Sequence, residues 1–335
     1  MSSNKSLESG YEHVKNAEKS LKTSLLKWRP DYENAAEEYN KAATCFRIAK
    51  SYEQCRDCLL KAVDCYKQNK ALFYASKALD QCVLVSKELG DIRAIPIFAE
   101  RAANMFQTHG SPESATSSLS KAAKIIEQTL PADALRLYQH AIEIATIQDN
   151  VGDAAEFANK IARLHVKLQQ YDLAADAIRR ELGLRQQSEL FDATGRLTLS
   201  LVLVQLTRGD VVAAEKAFKE WGNNCQNPEL SVLENLLQAY DEEDPAAARR
   251  ILNCPLIKHM DVEYAILARD MPLPEGLRLQ SAADREQSTA TGDSTKVRND
   301  ITVENSDVFV DNAQSSESTQ EKEENEDDEF AGGLC

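Results

Sequence analysis

Cys55-Arg-Asp-Cys58 is the one spacing in this chain that suggests reactive side chains. Two thiols so placed act as a redox couple when a helix N-terminus or a nearby cation lowers one pKa. They act as half of a zinc site when a second pair follows at matching spacing. Neither condition is met, because the pair falls inside a helix-periodic stretch and Cys65 and Cys82 are wrongly spaced for the other half. Cys55, Cys58, Cys65 and Cys82 fall where other segments place alanine, and they are expected to be small buried core residues. The histidines (His13, His109, His140, His165 and His259) are scattered, with no His-Glu-x-x-His. Glycine-rich phosphate loops, a nucleophile elbow and a triad are all missing. The reading is therefore a protein with no catalytic residues, no cofactor, no metal and no small-molecule substrate.

Three features remain, and each suits binding rather than bond chemistry. The first is SLLKWRP, where Leu25, Leu26 and Trp28 sit among Lys22, Lys27 and Arg29. It reads either as a staple closing the first helical hairpin or as a loop that touches a membrane. In the second case each large side chain inserted contributes about 1.5–3 kcal/mol, and each cation near anionic lipid about 1 kcal/mol. The second feature is a run of bases at helical spacing: Arg93, Arg101, Lys121, Lys124, Lys160, Arg163 and Lys167. These form either a solvated face or, on the inner surface of a curved array, a grip for an elongated acidic partner. The third is acid: Asp241, Glu242, Glu243 and Asp244 after LLQAY, then EKEENEDDEFAGGLC at the end.

Charge narrows the partners. Lys and Arg total 39 against 54 Asp and Glu, a net −15. Residues 281–335 hold 15 acids and 4 bases, so −11 of that charge lies in the tail. Nucleic acid, which needs a basic surplus, is not an expected partner. The N-terminus lacks an apolar signal core. The longest apolar run, Leu197–Leu206, is about half of a bilayer crossing. A cytoplasmic protein with reduced thiols is expected.

The elements that must position these residues are helices. Tyr32, Ala35, Ala36, Tyr39, Ala42, Ala43 and Phe46 recur at steps of three, one, three, three, one and three, which is one face of an α-helix. Turn signals fall about every 20 residues, among them Asn69-Lys70, Gly90-Asp91, Gly110–Pro112 and Leu130-Pro131. The unit is a hairpin of about 40 residues, starting near Asp31, Ala71, Ser111, Val151 and Phe191. Alanine opposite tyrosine or phenylalanine is tetratricopeptide-like packing. The fold class expected is all-α: a right-handed superhelical solenoid over residues 1–210, with a HEAT-type array as the alternative. Residues 211–278 read as a C-terminal helical bundle, and 279–335 as a disordered acidic tail ending in AGGLC.

Several uncommon segments in order make the chain resemble the soluble NSF attachment proteins, most closely the gamma type. They are KTSLLKWRPDYENAAEEYNKAA at Lys22–Ala43, LYQHAIEIA at Leu137–Ala145, LVQL, LLQAYDEED at Leu236–Asp244, HMDVEYA and the terminal DDEFAGGLC. The resemblance implies an adaptor that coats assembled SNARE four-helix bundles with a concave basic surface. It also implies recruitment of the hexameric ATPase N-ethylmaleimide-sensitive factor for SNARE disassembly in vesicle transport, peripheral on the cytosolic face of membranes. Lys160 falls where the family places a SNARE-facing lysine, and Arg163, Lys121, Lys124 and Arg93 are read as sharing that face. Asp91 and Ile97 stand where alpha-type members are basic. Asp241 and Glu242, with Glu243, match the acidic site offered to the ATPase. Leu334, preceded by Asp327, Asp328 and Glu329, matches the penultimate leucine that stimulates it. Leu25, Leu26 and Trp28 match the membrane-attachment loop, expected near residues 24–30. The alternative is a general tetratricopeptide-like trafficking or cytoskeletal scaffold.

Overall fold

Alanine-rich stretches with aromatic knobs can bury only a stripe, so each predicted helix needs a neighbour to cover it. A computed structural model describes residues 2–23, 28–188 and 192–275, and every regular element among them is helical. α1 (Ser2–Leu21) precedes a series of hairpins: α2 (Tyr32–Ile48) with α3 (Tyr52–Gln68), and α4 (Leu72–Leu89) with α5 (Ala94–His109). α6 (Pro112–Ile126) with α7 (Pro131–Ile147), and α8 (Val151–Lys167) with α9 (Tyr171–Gln187), continue it. The first helices of these pairs begin at 32, 72, 112 and 151, steps of 40, 40 and 39 residues. Each helix packs on the next in sequence, while α4 also reaches α6 and α5 reaches α7. This is the tetratricopeptide-like solenoid of helical hairpins that the periodicity predicts.

Small residues let the helices close up. In α2, Ala35, Ala36, Ala42 and Ala43 are buried around Tyr39 and Phe46. The Phe46 ring lies so close to Gly10 of α1 that an added Cβ would sit 2.9 Å from it. Phe73 and Phe106 meet edge-on at 5.6 Å between ring centres, joining α4 to α5. Pro112 and Pro131 open α6 and α7, where the missing amide proton has no bond to lose.

The turns repeat one piece of backbone. After α2, Lys50 turns left-handed (φ 58°) and Ser51 N donates to the Phe46 carbonyl at 2.8 Å. Lys70, Asp149 and Gln169 adopt the same conformation after α3, α7 and α8, and the following amide closes each turn at 2.9 Å. Gly90 and Gly110 hold that position after α4 and α5. The motif satisfies carbonyls that a helix end otherwise leaves open.

Past α9 the helices shorten and wrap one apolar rod. α10 (Thr194–Thr207) contains the Leu197–Leu206 run and is buried on nearly all sides. It packs on α9, on α11 (Val211–Trp221), on α12 (Glu229–Asp241) and on α15 (Val262–Asp270). A 3₁₀ turn (Gly222–Asn224) follows α11, and α13 (Pro245–Leu252) and α14 (Pro255–Lys258) lie between α12 and α15. Two apolar cores result. One runs from Ala17 to Leu164, and the other gathers residues from Ala162 to Met271, so both draw on α8.

Candidate functional site

The acidic turn after α12 sorts its residues by what each does. Asp244 accepts from the amides of Ala246 and Ala247, both at 2.9 Å, and so caps α13. Asp241 and Glu242 stand at the C-terminal end of α12, where the helix dipole disfavours negative charge. Both are exposed, as is Glu243, which adopts a left-handed backbone (φ 50°). Gln238 donates to Glu242 at 2.7 Å along the same helix. Fold stability gives Asp241 and Glu242 no reason to be acidic, so their charge faces outward for something else.

The predicted bases fall on different elements. Lys121 and Lys124 are exposed, three residues apart on α6, and Lys160 and Arg163 share that spacing on α8. α6 and α8 are both first helices of their hairpins. Arg93 instead stands at the N-terminal cap of α5, a second helix, and shares neither element with the lysines. Lys121 lies near Asp80, whose carboxyl is pushed up by burial and drawn back by Ser118, Lys121 and Lys77. Asp91 is ion-paired with Arg56 at 2.8 Å, and Ile97 is 58% exposed.

Arg163 differs from Lys160. Its Nε donates to Glu263 Oε2 at 2.8 Å and its Nη1 lies 3.4 Å from Asp261 Oδ1. Burial works against the guanidinium charge, but Glu263 and Asp261 more than offset it and the pKa is raised. The guanidinium therefore ties α8 to α15. Lys160 makes no ion pair with a described residue. Nothing in the spacing distinguishes the two. The partners Asp261 and Glu263 were legible only as acids flanking Val262 in HMDVEYA.

Beside this pair a cavity of about 230 Å³ is lined by Asn159, Glu181, Arg185, Arg196, His259 and Tyr264 among others. Burial pushes the Glu181 carboxyl up, while Arg185 (2.8 Å) and Asn159 (3.1 Å) donate to it. His259 Nδ1 is 2.7 Å from the Pro255 carbonyl. These side chains are matched to each other and hold the joint between α8, α9 and the C-terminal helices.

The cysteine spacing resolves as packing. Cys55, Cys58, Cys65 and Cys82 are all buried. Burial pushes the Cys55 and Cys58 thiols up to about 11 and Cys82 to about 12, the opposite of an activated thiolate. Among the described residues, no group of three His, Cys, Asp or Glu side chains is arranged to hold a metal ion.

Trp28 is 88% exposed. Leu25 and Leu26 lie outside the described residues, as do Asp327, Asp328, Glu329 and Leu334 of the tail. No helix among the described residues is long and apolar enough to cross a membrane.

Residues 8–252, well over half of the chain, match the family model described as soluble NSF attachment protein, SNAP. The chain belongs to the soluble NSF attachment protein family. It is 24% identical over 280 residues to a gamma-soluble NSF attachment protein of Dictyostelium discoideum, covering 82% of this chain and 85% of that one. An Arabidopsis thaliana protein of the same name is 26% identical over 274 residues, 79% of this chain and 92% of that one. An alpha-soluble NSF attachment protein of Vitis vinifera is 27% identical over 247 residues, 71% and 84% of the two chains. The family match takes in Trp28, the lysines of α6 and α8 and the acidic turn, and it ends within α13. α15, which supplies both acids to Arg163, lies beyond it.

Proposed function

We propose that this member of the SNAP family is a non-enzymatic adaptor that grips assembled SNARE four-helix bundles and recruits N-ethylmaleimide-sensitive factor to disassemble them. Lys160, Lys121 and Lys124 supply a basic face for the acidic surface of the bundle, through steering and polar contacts. Asp241, Glu242 and Glu243 dock the ATPase, with Asp327, Asp328, Glu329 and Leu334 acting from the tail. Leu25, Leu26 and Trp28 hold the adaptor at the cytosolic face of a membrane, which raises its local concentration around SNARE bundles. Residues 1–210 serve as the grip, 211–278 as the bundle that carries the motor contact, and 279–335 as a flexible strap.

The observation that carries the reading is the exposed pair Asp241 and Glu242, acidic at the helix end where acid is disfavoured, within a family match that spans both faces. The experiment is reconstituted SNARE disassembly by the ATPase, with and without this protein, in solution and on liposomes. Disassembly is expected only with the protein present. Reversal of Lys121, Lys124 and Lys160 to glutamate is expected to abolish SNARE capture at moderate salt. Asp241→Lys with Glu242→Lys is expected to keep capture and lose the ATPase. A general scaffold would leave disassembly indifferent to all of these changes.

A further inference from the structure

The antiparallel pairing of α1 with α2 leaves a groove of about 620 Å³ at the end where the chain turns, lined by Lys19, Ser20, Lys22, Thr23, Asn34 and Glu38 among others. The pairing is fixed by contacts that step in opposite directions along the two helices: Ser9 with Cys45, His13 with Glu38, and Ser20 with Asn34. We infer that this groove receives the phosphate of an anionic phospholipid headgroup. The inference rests on the membrane contact proposed above and goes beyond it by naming the lipid chemistry and the residues that read it.

The charge around the groove is unbalanced in one direction. Glu38 lies 2.8 Å from His13 Nδ1 through one oxygen and 2.8 Å from Lys41 Nζ through the other, and these contacts hold its pKa down. Asp31 accepts from the Asn34 amide as the cap of α2. The last carbonyls of α1 are also engaged: Ser20 O accepts from Asp31 N at 3.0 Å and Lys19 O from Lys22 N at 3.3 Å. The nearby acids and carbonyls are thus occupied. Lys19 and Lys22 are both exposed and make no ion pair with a described residue. Two ammonium groups three residues apart repel each other, and nothing in the fold neutralises them. The Thr23 hydroxyl adds a neutral donor beside them.

A phosphate on a membrane fits better than a phosphate in solution because of what adjoins the groove. Trp28, 88% exposed, follows Lys22 by six residues in the same connection between α1 and α2. An indole so placed suits the headgroup level of a bilayer. The chain carries a net −15 and is repelled by an anionic surface unless it presents a local positive patch.

The test is co-flotation of the full-length protein with neutral phosphatidylcholine vesicles and with vesicles of phosphatidylcholine and phosphatidylserine. Lys19→Gln with Lys22→Gln is expected to weaken binding to the phosphatidylserine vesicles roughly ten- to thirtyfold, from the usual contribution of two lysines near an anionic surface. It should leave binding to neutral vesicles unchanged. Lys5→Gln with Lys50→Gln, which removes equal charge from the far end of the helix pair, should have little effect. An equal loss with that control would reduce the effect to diffuse attraction and overturn the groove. So would unchanged phosphatidylserine binding in the Lys19/Lys22 variant while Trp28→Ala still loses both vesicle types. If neither variant alters binding, the membrane contact itself is wrong. Tight binding of inorganic phosphate without preference for phosphatidylserine vesicles overturns the lipid as the source.

Discussion

Arg163 and Glu263, a hundred residues apart in sequence, form an ion pair at 2.8 Å that fastens α8 of the hairpin array to α15 of the C-terminal helices. Both side chains are mostly buried, at 20% and 13% exposure, so removing one leaves the other poorly solvated. Arg163→Ala is expected to cost about 1.5–3 kcal/mol, the usual range for a hydrogen bond to a charged group. A double-mutant cycle with Glu263→Ala, read by urea denaturation, should return a coupling above about 0.5 kcal/mol. Additive losses would show that the two residues act separately. Lys160→Ala, one turn away, should leave the denaturation midpoint in place, so any effect of that change on SNARE capture reports contact rather than stability.

Gly10 faces the Phe46 ring at a distance no side chain tolerates. Gly10→Ala improves helix propensity by about 1 kcal/mol. The clash is expected to outweigh that gain, for a net loss of 1–3 kcal/mol typical of overpacking. Thermal unfolding of the variant measures the balance. A rise in midpoint would mean that α1 can shift away from α2 at little cost.

Glu38 gives a pH signature. Its pKa lies below the ordinary 4.5 because His13 and Lys41 favour the charged carboxylate. A depressed folded pKa means that the unfolded chain binds the proton first. Its contribution is therefore fully present above about pH 4.5. It fades as pH falls through the lower folded value. Glu38→Gln should be destabilised relative to the parent at neutral pH, and the difference should shrink on acidification. A difference independent of pH would assign the loss to packing.

The hairpin rhythm was legible because alanine and aromatic residues recur at helical steps, and because glycine and proline mark several turns. The recurring left-handed residue was less so. Lys50, Lys70, Asp149 and Gln169 take a conformation that side chains with a Cβ resist. They do so because the following amide closes the turn, a tertiary demand that composition does not advertise. Of the candidate site, the acidic turn could be read but not divided, since only the capping geometry separates Asp244 from Asp241 and Glu242. Lys160 and Arg163 looked equivalent because an ion pair with a helix a hundred residues away leaves no local trace. The cysteine pair was legible as packing, since its positions repeat those of alanine in other hairpins.

Coupling α8 directly to α15 has a mechanical corollary. A tug applied at Asp241 reaches Lys160 through a short clamped segment, whereas it reaches Lys121 only after crossing the α7–α8 and α6–α7 seams one after the other. Compliance adds along such a sequence. Under load the early hairpins would give way first, while the clamped end keeps its spacing and passes force onward.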